Sequence, residues 1–421
     1  MGRHLMPFVL VAVLCAPVVA GEQLLNLPLD RTAFPVPADI VWPQAVGEPH
    51  ICLWYGDKFA ALSITIDDNW KPDWAWWMQM AETYDFTPTW FTIVGGVDAQ
   101  SNPGFSGVWS DFVALAASGG SIQSHTMTHN CSDDTRPDAD VHWEYSRSQA
   151  LIDANVPGQR CLTLAYPCGV GRPDIAAQYF IAARGVHGTP NKPGRINWMM
   201  TDSSSGRIDA DFVNAILYGT SGISWLNSPQ WKRAWLCTHY HGVSDEAVQE
   251  GHLAYIDSLR HLIWWASFID VVRFGQQRDS ATITMVENSE SRIAFDISDR
   301  MNDQIFDHPL TIKLRLPDAW EGAATATQGG AATSFTLAAQ GDRDYILLDA
   351  IPDRGPVEIR PGSADKPGDA DRDGDVDLDD FVLLKTSFGT LSGAAWDQGD
   401  FDADGDVDLD DFVILKTNFG R

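Results

Sequence analysis

Three short polar motifs, each closing an apolar run, carry the residue types of a hydrolytic metal site. Asp67-Asp68 follows AALSITI, His125-x-x-x-His129 follows GGSIQS, and His239 follows WLCT. One aspartate and two histidines meeting at a point can hold a divalent metal and leave coordination positions open, as hydrolysis requires. A second carboxylate beside the ligand supplies a base, and a further histidine supplies an acid. Singly, each motif is ordinary: Asp68-Asn69 with Pro72 nearby can cap a helix, and His239 can be a satisfied core histidine. In chain order, each at the end of a strand-like run, they form one constellation.

The elements that must position them run from residue 58 to 275. Strand-like stretches (FAALSITI, PTWFTIVG, GGSIQSH, CLTLAYP, GVHG, AWLCTHY, FIDVVRFG) alternate with helical ones such as WAWWMQMAETY, HWEYSRSQALIDA and SDEAVQEGHLAYIDSLRHLIWWAS. Such β-α repeats build a parallel sheet. The polar motifs sit at the C-terminal ends of different strands, which a barrel gathers into one mouth. No Gly-rich dinucleotide fingerprint follows any of these strands.

Residues 58 to 275 resemble the polysaccharide deacetylases of carbohydrate esterase family four, the NodB-like family. Thr65-Ile66-Asp67-Asp68-Asn69 is similar to its Thr-Phe-Asp-Asp-Gly motif. His125-Thr126-Met127-Thr128-His129 matches its His-Ser/Thr-x-x-His motif in full, and Leu236-Cys237-Thr238-His239 matches Leu-x-x-His. The resemblance implies an α/β fold, a distorted seven-stranded (β/α) barrel. It implies metal ligation by Asp68, His125 and His129, with zinc, or cobalt or nickel, as the ion. It makes Asp67 the general base toward the attacking water and His239 the acid, with His241 the runner-up on the same strand face. The third motif, Arg-x-Pro-Tyr, aligns with Ala165-Tyr166-Pro167-Cys168, so its arginine is missing and Arg172 is the nearest substitute in sequence. Cys168, with Tyr166, then becomes the candidate for oxyanion or substrate contact through its backbone N–H. The fourth motif, Asp-x-x-Asp-Trp, has only Asn197-Trp198 and Asp202 as distant candidates, and Asn69 replaces the usual Gly.

From 280 to 362 the chain turns to short β-rich runs between turn residues, which predicts a small antiparallel β-sandwich with an accessory role. Residues 363–368 read as a linker. From 369 to 421, fifteen Asp face four Lys or Arg, so much of the net charge of −28 is local to this tail. The tail is a repeat with an offset of 31 residues. Asp369, Asp371, Asp373, Asp375 and Asp380, with Asp400, Asp402, Asp404, Asp406 and Asp411, alternate as calcium ligands do around Gly374 and Gly405. An acidic tail without structure has no reason to keep those glycines, or Phe381, Leu384 and Phe388 with Phe412, Leu415 and Phe419, in register. These loops resemble a type I dockerin, which implies an EF-hand-like helical pair, bound calcium and a cohesin-type scaffold partner.

At the other end, Arg3 and His4 precede an apolar run from Met6 that ends in Val18-Val19-Ala20. That pattern predicts a signal peptide over 1–20 and a secreted or cell-surface protein, with 21–57 an N-terminal extension. Without Cys15 five cysteines are left, enough for two disulfides at most. The acidic charge excludes nucleic acid and anionic membrane as partners, and no later segment is apolar enough to span a bilayer. Seventeen tryptophans suit a sugar ligand, though most such rings belong to cores. The reading that unites these features is a secreted metal-dependent deacetylase of N- or O-acetylated polysaccharide. Its rivals are an inactive carbohydrate-binding protein on the same fold and a small-molecule amidohydrolase.

Overall fold

A computed structural model describes residues 34–98, 103–194, 196–320, 324–362 and 366–420. The expected signal peptide lies outside the described residues. After β1 (His50–Ile51), strands and helices alternate: β2 (Ala60–Ile66), α1 (Trp74–Thr83), β3 (Thr89–Thr92), α2 (Pro103–Ser106), α3 (Trp109–Ala117), β4 (Ser121–Ser124) and α4 (Asp138–Asn155). The series continues with β5 (Thr163–Ala165), α5 (Pro173–Ala176), β6 (Ala182–Arg184), β7 (Ser204–Ser205), α6 (Ala210–Tyr218), β8 (Trp235–Tyr240), α7 (Glu246–Asp257), β9 (Ile263–Trp265) and α8 (Phe268–Ser280). Seven strands form one path in the order β6-β5-β4-β3-β2-β8-β7, every pairing parallel, and β9 adds to the start of β2 as an eighth.

This curled sheet is open between β6 and β7, where an isolated bridge joins Arg184 to Thr201. The fully buried β2 (AALSITI) explains its continuous apolar run, as strands covered on both faces require. Two expectations fail locally. FIDVVRFG forms α8 instead of a strand, because the Ser267 hydroxyl accepts from Asp270 N–H as an N-cap. It is buried nearly all round, with Gln276, Gln277 and Arg278 among the buried residues, so its polar positions do not mark out a solvent face. The strand is the preceding Ile263–Trp265, expected as a helix end, while GVHG follows the short strand β6 rather than forming it.

Eight further strands follow: β10 (Thr282–Asn288), β11 (Ile293–Ser298), β12 (Leu310–Arg315), β13 (Ala324–Gln328), β14 (Ala331–Ala332), β15 (Phe335–Gln340), β16 (Arg343–Ala350) and β17 (Val357–Pro361). They make two antiparallel sheets, β1-β12-β16-β15 and β10-β11-β17-β13-β14. The stretch read as an N-terminal extension thus lends β1 to the first sheet. Ile293, Phe295, Ile312, Leu314, Ile346, Leu348 and Val357 from the two sheets share one buried cluster with Phe268, Val272 and Phe274 of α8. Two helices, α9 (Leu378–Ser387) and α10 (Leu409–Asn418), follow the acidic loops around their own small core of Val376, Leu384, Phe401, Val407 and Leu415.

Candidate active site

The turn after β2 carries both aspartates. Asp67 N–H continues the ladder to Tyr240 O at 2.7 Å, and then Asp68 and Asn69 take left-handed backbone, φ 64° and 53°. Asn tolerates that region better than most residues. Its amide also bridges to β3: Nδ2 donates to Ile93 O at 3.0 Å and Oδ1 accepts from Ile93 N–H at 2.9 Å. The departure from Gly at this position therefore adds a clasp between two strands.

His125 follows β4, buried, and its Nδ1 bonds Ala165 O at 2.8 Å, which leaves Nε2 free to ligate. The turn to His129 is held by Glu144 of α4, fully buried. Its carboxylate accepts from Met127 N–H and Thr128 N–H at 2.9 Å each, from Thr128 Oγ1 at 2.5 Å and from Arg136 Nη1 at 3.1 Å. Thr126 Oγ1 accepts His129 N–H at 3.1 Å. Both threonines of His-Thr-x-Thr-His thus fix the turn. A disulfide, Cys131–Cys168, ties it to the loop after β5 with the Cα atoms 5.4 Å apart. The other described cysteines, Cys52, Cys161 and Cys237, are free and buried.

These turns bring Asp68 Oδ1 to 3.3 Å from His125 Nε2 and 3.2 Å from His129 Nε2. Ligands about 2.1 Å from a tetrahedral zinc stand roughly 3.4 Å apart, so Asp68 Oδ1 stands from each histidine as one ligand stands from another in a coordination shell, and all three donors lie within 4.8 Å of one another. Burial alone would raise the Asp68 carboxyl, but the two imidazoles outweigh it and hold it well below its usual range. The same carboxylate raises His129. His241 Nε2, half exposed, lies 3.5 Å from Asp68 Oδ2 on the open side.

Asp67 is buried, with Oδ2 held by Arg184 Nη2 at 2.5 Å, and Oδ1 has no hydrogen-bond partner. Burial pushes this carboxyl up, yet Arg184, His125 and His239 together bring it below the usual range. Arg184, the last residue of β6, is fully buried over the Phe91 ring at 5.0 Å. It occupies the role expected of Arg172, which is instead bound to Asp138 and Asp174, with Nη–Oδ distances of 2.8 and 2.7 Å. Arg184 Nη1 also donates to Ser203 Oγ at 2.8 Å, and Ser203 Oγ lies 2.8 Å from His239 Nδ1. Burial first, then the Arg184 charge, lowers His239 to about 3 against the pull of Asp67.

The fourth-motif candidates lie elsewhere. Asp202 caps the Gly188-Thr189 turn, accepting from their N–H groups at 3.0 and 3.1 Å, and Trp198 packs on Trp235. Tyr166 is buried, its hydroxyl donating to Met199 O at 3.0 Å. Cys168 is at the surface with φ 56° in the disulfide. Sequence reasoning missed Arg184 and Ser203. Their one signal was the pairing of the two sheet ends, which residue spacing does not reveal.

In the tail the two loops repeat each other. Asp380 accepts Ala370 N–H at 2.7 Å and Asp377 N–H at 2.8 Å; Asp411 accepts Phe401 N–H at 2.7 Å and Asp408 N–H at 2.9 Å. Asp369, Asp371 and Asp380 gather their carboxylates within 4.8 Å, as do Asp375, Asp377 and Asp380, and Asp400, Asp402 and Asp411. Asp373 and Asp404 receive backbone N–H bonds from Asp375 and Asp406 at 3.1 and 3.0 Å, and Asp406 Oδ1 is a buried atom without a partner. Burial and the neighbouring carboxylates push Asp371 to about 6.

Residues 56–180 match the family model for polysaccharide deacetylase. A gellan lyase from a Bacillus species is 36% identical over 374 residues, covering 83% of this chain and 14% of that protein. The chain thus spans about a seventh of the curated relative it matches. A match of that coverage has to extend beyond residues 56–180. Among solved structures, the Streptococcus pyogenes deacetylase PplD in complex with acetate is 18% identical, with 34% of this chain and 62% of that one covered, TM-score 0.31. A family 4 carbohydrate esterase from Streptomyces lividans in complex with acetate is 15% identical, with 49% and 92% covered, TM-score 0.33. Among the described residues no helix is long and apolar enough to cross a membrane.

Proposed function

We propose that the chain removes acetyl groups from a polysaccharide at the Asp68-His125-His129 site. The observation that carries this reading is the three-donor cluster with a buried carboxylate oxygen, Asp67 Oδ1, left without a partner beside it. Asp68, His125 and His129 would hold a divalent ion, zinc in the first instance, with cobalt or nickel as alternatives. Such an ion supplies Lewis acidity to the acyl group and to water. Asp67 takes the proton from the attacking water, and Arg184 keeps that carboxylate ionised and oriented. The N–H of Cys168 is the candidate donor to the developing oxyanion. His239 and His241 face the leaving group's side.

Acetate release from a panel of acetylated glycans by metal-free protein, before and after zinc is added, tests the reading. Xylan, chitin oligosaccharides, peptidoglycan and gellan belong in it, the last because of the similar gellan lyase. Zinc-dependent release is expected. Binding without release would favour the inactive carbohydrate-binding protein instead. The leader sequence supports secretion. The acidic loops support two bound calcium ions, and the helices after them expose matched apolar residues: Leu378 with Leu409, Val382 with Val413, and Phe388 with Phe419. A cohesin-like scaffold protein is the proposed partner of that duplicated face.

A further inference from the structure

Resting on the deacetylase reading, we infer that the site is built for O-acetyl esters rather than N-acetyl amides. The ground is what surrounds His239. Its Nδ1 meets Ser203 Oγ at 2.8 Å, and among the described residues no carboxylate lies within ion-pair distance of it. Ser203 donates to Gly185 O at 2.8 Å and accepts from Arg184 Nη1 at 2.8 Å. The hydroxyl is thus the ring's hydrogen-bond partner, and the charged or chargeable groups that act on the ring are Arg184, Asp67, itself paired with Arg184, His241 and His125.

That arrangement limits what His239 can give. If Ser203 spends its proton on Gly185 O, His239 carries its proton on Nδ1, and Nε2 is a lone pair with nothing to donate. If Ser203 points at His239 instead, Nε2 carries the proton of a neutral ring, and losing it would leave an imidazolate. Only the imidazolium is a competent acid. Here it would stand beside a buried arginine with a neutral hydroxyl, not a carboxylate, to offset its charge.

The two leaving groups differ in what they ask of an acid. In ester hydrolysis the water oxygen bonds to the acetyl carbon and its proton goes to Asp67. The C–O bond then breaks with its electron pair on the sugar oxygen, which takes up one proton to give the alcohol, while the water's second proton leaves the acetic acid for solvent, giving acetate. An alkoxide can depart before that proton arrives. In amide hydrolysis the C–N bond breaks only as the nitrogen is protonated, because an amide anion is far too basic to leave. General-acid help of this kind contributes about 10²- to 10⁴-fold. Ser203 is thus a specificity-determining residue acting through His239.

The test uses one oligosaccharide that carries both bonds: a chito-oligosaccharide chemically O-acetylated, with the zinc-loaded full chain, followed by NMR to see which acetyl is lost. Loss of O-acetyl at a kcat/KM at least about 100-fold above N-acetyl is expected. Ser203→Asp, which places a carboxylate on His239 Nδ1, should narrow that ratio by tenfold or more. Ser203→Ala should leave the ratio as it is, a result that a loss of folding would not mimic because both bonds report on the same protein. N-acetyl loss equal to or faster than O-acetyl loss overturns the inference and leaves the deacetylase reading standing. An unchanged ratio in a folded Ser203→Asp protein overturns the role of Ser203. Loss of neither group here, nor from acetylated xylan or gellan, removes the deacetylase reading and the inference with it.

Discussion

Asp67 and Asp68 are adjacent in the chain, and the proposed roles of base and ligand give them different tasks that variants at each should separate. Asp68→Ala, His125→Ala and His129→Ala each remove one of three donors gathered within 4.8 Å, with Asp68 Oδ1 3.3 and 3.2 Å from the two imidazoles. Each should lose bound zinc by elemental analysis, and a variant at full occupancy leaves the ligand set. Asp67→Asn should keep the zinc and lose about 10²- to 10⁴-fold in turnover, since it removes only the base. Wild-type turnover in protein of verified metal content would refute that role. Arg184→Met gives a pH signature. Burial favours the neutral Asp67 acid and Arg184 opposes it, so removing the guanidinium raises this pKa. The base works ionised, so the acid limb of the rate profile should move to higher pH; a limb that stays put assigns Arg184 a purely structural role. The candidate ligands were legible because each lies within five residues of the end of its strand. Arg184 was not, since it reaches Asp67 from 117 positions away while Arg172 lay temptingly near the altered motif.

At the scale of elements, strand ends place the chemistry and a helix fixes the geometry. β2, β4 and β8 each deliver polar residues as they leave the buried sheet, and that logic could be read from apolar runs alone. The role of α4 could not, because nothing in HWEYSRSQALIDA marks Glu144 as the buried acceptor of three donors from the His125–His129 turn. Glu144→Ala strands those donors and Arg136. It should cost about 3 kcal/mol in thermal unfolding and weaken zinc binding in chelator competition, while Glu144→Gln keeps more of both. Unchanged zinc affinity in Glu144→Ala would mean that the disulfide and the Thr126 hydroxyl hold the turn without it. α8 escaped the sequence for a related reason: with the parallel sheet on one side and β12 on another, it buries polar residues such as Gln276, Gln277 and Arg278 along with apolar ones, so no polar face turned to solvent marks it as a helix.

Across the whole molecule the two proposed metal sites share no residue, so each can be emptied without touching the other. The repeat was legible because duplicated loops keep aspartates, glycines and apolar positions at one fixed offset, a pattern no other part of the chain has. Its core is slight: Val376, Leu384, Val407 and Leu415 with a few partly buried rings. Against it stand carboxylates drawn within 4.8 Å of one another, with Asp371, Asp375, Asp402 and Asp406 all raised by burial and mutual repulsion. A raised carboxyl costs stability progressively as pH climbs from its ordinary value near 4 to its folded value, so without a cation this module should loosen between about pH 4 and about 6, the Asp371 value. Calcium offsets the repulsion and ties each loop to the helix that follows. In metal-free full-length protein at pH 7.5, hydrogen exchange of peptides from 366–420 should be fast, and calcium alone should slow it in α9 and α10. Zinc added afterwards should restore acetate release without further change there. Equal exchange with and without calcium would make the repeat a solvated acidic segment, and the docking role of its paired apolar faces would fall with it.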